Sequence, residues 1–405
     1  LLHRLFSTSE YIYTRKNRMT GIEFYTNGHI VSEANSMRQK LGVLAKQYSA
    51  TSAIIITDAG ISELGYVDLA QQALQEADVS VVVFDNVVAD PPIEIVESAI
   101  ELARDNQCDL IIGLGGGSSI DTAKIVALYP NDFQSVNDIL DKDISGFKKL
   151  PLFAIPTTAG TGAESTFVSV ITAKNGSKKA IYTPKILPDV AILDATLTLK
   201  LPRHITAATA LDAMVHCIEA YTSRTKKNPI SDALALKGLQ MLWNNFEKVL
   251  NQGDDIDARA DMLLGSTLAG IAFVNASVSA VHGLSYPLSI NFHIPHGHAN
   301  ALVMCGVFTF NLSEAAPLYA ELARAVMPTQ IAGMNDLDTA TSFISQLKMF
   351  LENSGLKYRL SELDITQNDI PALADIVINT YARLIATNPK DMTLEEVTAI
   401  YEEIA

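Results

Sequence analysis

The chain is long, acidic and rich in apolar residues, and these properties exclude several classes of protein. It has 405 residues, 48% hydrophobic side chains and a formal net charge of -15, and a chain of this length normally folds as two domains. Its negative field opposes binding to nucleic acid and to anionic membranes, and no apolar run reaches the roughly 18 residues of a membrane span. We therefore expect a globular protein that binds small molecules.

The cysteines and the N-terminal segment bear on where the protein works. Cys108, Cys217 and Cys305 lie far apart and show no CxxC spacing, which favours a reducing compartment and a cytoplasmic location. Residues 1–18 are basic, and we interpret them as an extension that is not part of the fold. An organellar targeting segment is the alternative.

Strand and helix patterns alternate in the first half of the chain. After a strand-like stretch at 22–26, the predicted strands are 52–58, 79–85, 109–115, 152–156, 166–172 and 189–194, and the predicted helices include 66–77 and 93–107. Continuously apolar strands separated by helices are typical of a parallel sheet covered on both faces. This half is predicted to be a Rossmann-like α/β dinucleotide-binding domain.

Helical spacing dominates the second half. Apolar residues recur at helical intervals in 205–221, 230–250, 258–281 and 339–355. We therefore expect an all-α C-terminal domain, with the α/β domain at 19–197 and the helical domain at 198–405.

A glycine-rich loop follows the strand predicted at 109–115. Gly115, Gly116, Gly117 and Ser118 lie between that strand and an amphipathic helix. Glycines let a ligand approach the backbone, and the first amides of a helix attract phosphate, while Ser118 can cap the helix. The spacing is neither that of a P-loop nor GxGxxG, so a tight turn is the alternative to a pyrophosphate site.

Two further polar groups follow predicted strands. Asp58 ends the strand at 52–58, where an acid can bond a ribose hydroxyl and repel a 2′-phosphate, which favours NAD over NADP. A solvated turn aspartate is the alternative. Thr157, Thr158 and Thr161 follow the strand at 152–156, at the sheet edge where such folds bind ligands.

A metal site is indicated by four residues of the second half. Asp212 and His216 lie four apart on a predicted helix, and so share a face. His282 ends the helix predicted at 258–281, and His296 lies in a turn beside Pro295. One carboxylate and three imidazoles suit Fe(II) or Zn(II).

Other interpretations of these residues stay open at this point. Asp212 and His216 could form a salt-linked pair on the helix. Spacing alone does not exclude His293 or His298 as ligands.

Four motifs together resemble the iron-containing (group III) alcohol dehydrogenases. They are GGGSSIDTAK, PTTAGTGAES, DATLTLKLPRHITAATALDAMVHCIEAY and VHGLSYPL…HIPHGHANAL, and the resemblance runs from about residue 22 to the end. It implies an NAD-dependent, homo-oligomeric enzyme that holds Fe²⁺, with Zn²⁺ as the alternative, in a cleft between the two domains. Its expected substrate is a small or medium alcohol, or the corresponding aldehyde or ketone.

The resemblance also implies roles for single residues. It places the metal on Asp212, His216, His282 and His296, and the nucleotide on Gly115, Gly116, Gly117, Ser118, Asp121, Thr157, Thr158, Thr161 and Lys179. It places Phe273 and Asn275 in the substrate wall and His293 in the cleft.

One position departs from the family pattern. Most members carry a histidine four residues after the third ligand, where this chain has Tyr286. A tyrosine can donate and accept a proton, but with a reference pKa near 10 it is a poor base at neutral pH. Tyr286 is therefore a candidate either for proton transfer or for the pocket wall.

The alternatives to an alcohol dehydrogenase are a glycerol dehydrogenase or dehydroquinate synthase on the same fold, and a nonenzymatic dinucleotide-binding protein.

Overall fold

A computed structural model describes residues 21–131, 135–140, 144, 146–174 and 176–405. The predicted extension over residues 1–18 lies outside these ranges. The description below concerns the described residues alone.

The first half is an α/β unit built on a six-stranded parallel sheet. The strands stand in the order β1-β8-β5-β4-β2-β3, and their buried Ile, Val and Leu side chains pack against helices on both faces. The strands of this sheet are β1 (His29–Ser32), β2 (Ser52–Ile56), β3 (Ser80–Phe84), β4 (Leu110–Gly115), β5 (Leu152–Pro156) and β8 (Val190–Leu193). The helices are α1 (Ser36–Gln47), α2 (Ala59–Glu63), α3 (Tyr66–Gln75), α4 (Ile93–Asp105), α5 (Gly117–Val126) and α6 (Asn137–Leu140).

Two predicted strands behave differently from expectation. The stretch at 22–26 forms no strand; its Tyr25 backbone is instead bonded to the Asn275 side chain. The segment at 166–172 contains β6 (Val168–Thr172), but β6 pairs antiparallel with β7 (Lys178–Tyr182) in a separate hairpin. Its alternating burial, unlike the continuous burial of β4 and β5, is the pattern of a strand with one exposed face.

The second half is helical and packs around a buried central helix. That helix, α7 (Arg203–Thr222), is buried on nearly every side and contacts α8, α9 and α11. The remaining helices are α8 (Pro229–Asn251), α9 (Ile256–Ala276), α10 (Ala280–Phe292), α11 (His296–Phe310), α12 (Leu312–Val326), α13 (Asp336–Ser354), α14 (Ile370–Thr380), α15 (Ala382–Ile385) and α16 (Leu394–Glu403).

The predicted helix over 258–281 is broken, which corrects the expected position of His282. Ser277 has a φ of 80°, a conformation that a continuing α-helix does not contain, and the axes of α9 and α10 differ by 106°. His282 therefore lies in the first turn of α10. His296 likewise begins α11, with Pro295 as its N-cap, rather than lying in a turn.

No single helix among the described residues has the length and apolar character needed to cross a membrane. Two pairs pass that test only jointly, α9 with α10 and α11 with α12, and they bend by 106° and 112° where they meet.

Candidate functional site

A cleft of about 180 Å³ borders both halves of the chain. The α/β half contributes Gly117, Ser118, Asp121, Thr161 and Lys178 to its wall, and the helical half contributes His216, Phe273, His282, Tyr286 and His296. The predicted phosphate loop and the predicted metal ligands thus open into the same space.

The glycine loop connects β4 directly to α5. Gly116 is the N-cap of α5, and no described side chain caps the helix, so its first amides are available to a ligand. This corrects the expectation that Ser118 is the cap: the helix begins at Gly117, and Ser118 lies within its first turn. Gly115 has a φ of 149°, and a Cβ there would lie 2.7 Å from the Ser119 Oγ.

The threonine loop lies against the glycine loop because β4 and β5 are neighbours. The Thr157 amide donates to the Gly115 carbonyl at 3.0 Å, and Thr161 lies beside Gly117. Thr161 borders the cleft, whereas Thr157 is buried. Thr158 lies beside Gly116, 3.8 Å from its ideal Cβ position.

The same loop joins the two halves of the molecule. A Cβ on Gly160 would lie 2.6 Å from the Thr209 Cβ on α7, and one on Gly162 would lie 2.6 Å from the Gly270 Cα on α9. Only glycine permits these approaches, which place the loop after β5 next to α9 and next to α7, the helix that carries Asp212 and His216.

Asp58 lies at the same edge of the sheet as the glycine loop. It follows β2, which pairs with β4, and it is the N-cap of α2, where its carboxylate accepts from the Ile61 amide at 3.1 Å. Its Oδ2 lies 3.5 Å from the ideal Cβ position of Gly115. The carboxylate therefore lies beside the phosphate loop.

Asp121 and Lys124 form a buried ion pair beneath the cleft. The Lys124 Nζ donates to the Asp121 carboxylate at 3.1 Å and to the Val168 carbonyl at 2.6 Å, and the Val170 amide donates to Asp121 at 2.9 Å. Burial lowers the pKa of Lys124 and raises that of Asp121. The pair ties α5 to β6. Sequence reasoning missed Lys124, although a lysine among the apolar positions of a predicted helix was a visible signal.

The lysine beside the cleft is Lys178 rather than Lys179. Side chains alternate across a strand, so Lys178 faces the cleft with Tyr182, whereas Lys179 points from the other face of β7 and is exposed. Lys178 forms an ion pair with Asp90 at 2.8 Å.

Three helices bring the four predicted ligands together. Asp212 and His216 come from α7, His282 from α10 and His296 from α11, and one ligand atom of each lies within 4.8 Å of the others. The Nε2 atoms of His216 and His282 are 3.1 Å apart. Asp212 Oδ1 lies 3.8 Å from the Nε2 of both His216 and His296.

Asp212, His216 and His296 have the protonation states of metal ligands. Burial lowers the pKa of His216 and of His296 to about 4, against the opposing effect of Asp212. Burial opposes ionisation of Asp212, but the neighbouring imidazoles and the Asn300 amide hold the pKa of that carboxyl below its usual range. At neutral pH Asp212 is therefore a carboxylate and His216 and His296 are neutral imidazoles, the forms that bind metal.

Two buried residues that sequence reasoning missed orient the ligands. Glu219 lies on α7 with its Oε2 2.6 Å from the His282 Nδ1, which leaves the His282 Nε2 directed at the cluster. Asn300 donates to the Asp212 Oδ1 at 2.7 Å, while its own buried Oδ1 has no partner among the described residues. Both follow a ligand at helical spacing, Glu219 three after His216 and Asn300 four after His296, which is the signal that could have found them.

Aromatic rings line the rest of the cleft. Phe273 borders the cleft and stacks on His216 with ring centroids 4.4 Å apart. Tyr286 lies one turn after His282, and its ring stacks on His296 at 5.7 Å. Burial raises the pKa of Tyr286 far above its usual value, so this phenol keeps its proton at neutral pH.

Three other residues lie away from the cleft. Asn275 uses its amide to bind the backbone of Tyr25, so it does not form part of the predicted substrate wall. His293 is exposed at the C-cap of α10, where its φ is 56°, and does not border the cleft. His298 donates from Nε2 to the Lys357 carbonyl at 2.6 Å, which gives it a structural role outside the cluster.

The comparisons with known proteins agree with this geometry. Residues 27–195 match the family profile described as iron-containing alcohol dehydrogenase, and residues 206–405 match that of the Fe-containing alcohol dehydrogenase family, C-terminal. The chain belongs to the iron-containing alcohol dehydrogenase family. It is therefore an oxidoreductase that uses NAD and a divalent metal, and the sequence-based predictions of family, fold, enzyme class and cofactors are confirmed.

Individual relatives span nearly the whole chain. Long-chain-alcohol dehydrogenase 1 of Geobacillus thermodenitrificans is 35% identical over 362 residues, which cover 88% of this chain and 90% of that protein. NAD-dependent methanol dehydrogenase of Bacillus methanolicus is 31% identical over 370 residues, covering 89% and 94%. A crystal structure of 1,3-propanediol oxidoreductase superposes with a TM-score of 0.91 at 28% identity, covering 95% of this chain and 100% of that one.

Proposed function

We propose that this enzyme interconverts a small or medium alcohol and its carbonyl product at the cleft between the two halves, with NAD on the α/β side and the metal held by Asp212, His216, His282 and His296. The observation that carries the proposal is the single cleft bordered by the phosphate loop and by all three histidines of the cluster. This arrangement would let the substrate bind with its oxygen at the metal and its carbinol carbon next to the nicotinamide of NAD.

Different groups of the α/β half suit different parts of NAD. The loop from Gly115 to Ser118 and the first amides of α5 suit the pyrophosphate, and Asp58 suits the hydroxyls of the adenosine ribose and disfavours NADP. Lys178, which faces the cleft, takes the role that the family pattern had suggested for Lys179.

The cluster fits a divalent ion, because one carboxylate and three imidazoles converge on one space and Glu219 and Asn300 hold His282 and Asp212 in place. A metal held by these four residues would supply polarisation of the substrate oxygen, and NAD on the α/β side would supply the acceptor for hydride from the carbinol carbon. Phe273 and Tyr286 exclude water from that space with apolar ring faces. Since Tyr286 holds its proton firmly, its hydroxyl serves as a donor and a wall, and is not the base.

The test is an anaerobic assay of the purified protein supplied with Fe²⁺, NAD and a panel of primary alcohols. Steady accumulation of NADH absorbance is expected, with NADP a poorer acceptor. Asp58→Ser, which keeps a helix-capping oxygen, is expected to narrow the difference in activity between NAD and NADP. Transient NADH without accumulation would favour a synthase, and tight NAD binding without turnover would favour a nonenzymatic protein. A homo-oligomeric state and a cytoplasmic location stay predictions.

A further inference from the structure

A second depression, of about 190 Å³, adjoins the cleft at Tyr286. The two spaces share Val170, Lys178, Tyr182 and Tyr286 as wall residues. The second depression, here called the outer pocket, is bordered further by Lys179, Ala180, Thr380, Tyr381, Arg383 and Leu384. It thus adjoins the reaction site across these four residues.

The outer pocket is positively charged in an otherwise acidic protein. Arg383 is exposed, and its guanidinium lies 4.9 Å from the centroid of the Tyr182 ring. Within the described residues, neither Arg383 nor Lys179 forms an ion pair, and no acidic residue lines this pocket. Since the whole chain carries a formal charge of -15, an arginine at this mouth that has no ion-pair partner among the described residues marks a local preference for an anion.

The position of the pocket decides which anion it faces. The Tyr286 ring has His296 of the metal cluster on one side, at 5.7 Å, and Tyr381 on the other, at 5.0 Å. The outer pocket therefore lies across Tyr286 from the metal cluster. Gly117 and Ser118 of the phosphate loop border the inner cleft but not the outer pocket. A substrate whose oxygen lies at the metal would extend its far end past Tyr286 towards Arg383.

On the basis of the proposed function, we propose that the outer pocket binds an anionic group at the end of the substrate opposite its hydroxyl. The substrate class is then a short alcohol that ends in a carboxylate or a similar oxyanion, and the aldehyde derived from it. A guanidinium recognises such a group through paired, charge-assisted hydrogen bonds. The ring of Tyr182 holds the Arg383 side chain beside the opening through a cation–π contact.

The experiment compares matched pairs of ligands that differ only in the terminal anion: 4-hydroxybutyrate with 1-butanol, and 6-hydroxyhexanoate with 1-hexanol. Their binding to the metal-loaded protein is measured by calorimetry without nucleotide, so that no reaction occurs. The variants are Arg383→Gln and, as a control for the loss of an exposed arginine away from the cleft, Arg104→Gln. NAD affinity is measured for each.

The expected result is tighter binding of the hydroxy acid in at least one pair, and a loss of about tenfold or more in its affinity in the Arg383 variant alone. Binding of the uncharged alcohols and of NAD is expected to be unchanged. Equal binding within both pairs, or an Arg383 variant that weakens NAD instead, would overturn the proposal. Turnover of the same ligands with NAD decides the proposed function separately, because binding to the outer pocket does not require the reaction.

Discussion

The two walls of the cleft are built in opposite ways. The nucleotide wall consists of backbone and small side chains from loops that directly follow β4 and β5. The metal wall consists of four side chains from three helices, oriented by Glu219 and Asn300. The first wall is set by local chain conformation and the second by helix packing, so damage to one should leave the other intact.

The largest effect is expected when a ligand of the metal wall is removed. His282→Ala takes one imidazole from the cluster and leaves the buried Glu219 Oε2 without its partner, so metal content should fall to background and turnover by about a thousandfold or more. Metal analysis and NADH formation measure both losses. His293→Asn is the matched control, because His293 is exposed outside the cluster and asparagine tolerates its positive φ. A metal-free but active His282 variant would contradict the ligand assignment.

The corresponding change in the nucleotide wall is Gly115→Ala. Its new Cβ would lie 2.7 Å from the Ser119 Oγ at a φ of 149°, so the loop must shift and NAD affinity should fall about tenfold or more. Metal content should not change. Gly28→Ala is the control, since the nearest heavy atom to its Cβ is the Asp189 carbonyl oxygen at 3.6 Å. Loss of metal in the Gly115 variant would show that the two walls are not separable.

A smaller effect on metal binding is expected from a change at Glu219, which contacts a ligand and is not itself one. Glu219→Gln keeps the shape of the side chain but removes the charge that faces the His282 Nδ1, so metal affinity should fall by about 10- to 100-fold. Competition with a chelator measures this, and NAD affinity should stay the same. The exposed Glu247→Gln removes an equal charge as the control. An unchanged metal affinity would mean that His282 is oriented by packing alone.

The smallest effect concerns Glu164, at the contact between the threonine loop and α9. Burial raises the pKa of this carboxyl. The Thr267 hydroxyl lies 2.6 Å from its Oε1 and 3.0 Å from the Leu263 carbonyl. The Thr267 hydroxyl has one proton and so can donate to only one of these two oxygens. A protonated Glu164 carboxyl can donate to the Thr267 oxygen, which leaves the Thr267 proton for the Leu263 carbonyl.

The sign of the pH dependence follows from that raised pKa. Such a carboxyl contributes its stability at acid pH and loses the contribution as the pH rises through the raised value. Glu164→Gln, which is neutral throughout, should therefore gain in melting temperature relative to the natural protein between about pH 5 and pH 8, by a few degrees at most. If the melting temperatures of the variant and the natural protein changed by the same amount with pH across that range, Glu164 would not be held protonated in the folded protein.

The contrast between the walls also explains what the sequence could reveal. The Gly115–Ser118 loop is contiguous, so its position between a strand and a helix is legible without tertiary information. The ligand identities were suggested by Asp212 and His216 at helical spacing, but the location of His282 depended on the break at Ser277, which a continuous apolar pattern does not show. The sequence also did not reveal the direction of some side chains. Lys178 and Lys179 are adjacent on β7 and differ only in the face of the strand from which they project. The Asn275 side chain binds the backbone of Tyr25, which is 250 residues away in the sequence.

Titration of metal-free protein with Fe²⁺ under anaerobic conditions, followed by NAD-linked oxidation of an alcohol, tests the central claim most directly. If the four-ligand cluster is the single metal centre of the reaction, activity will rise from background and saturate at one ion per chain. Full NAD-linked turnover in protein stripped of all metal would contradict it.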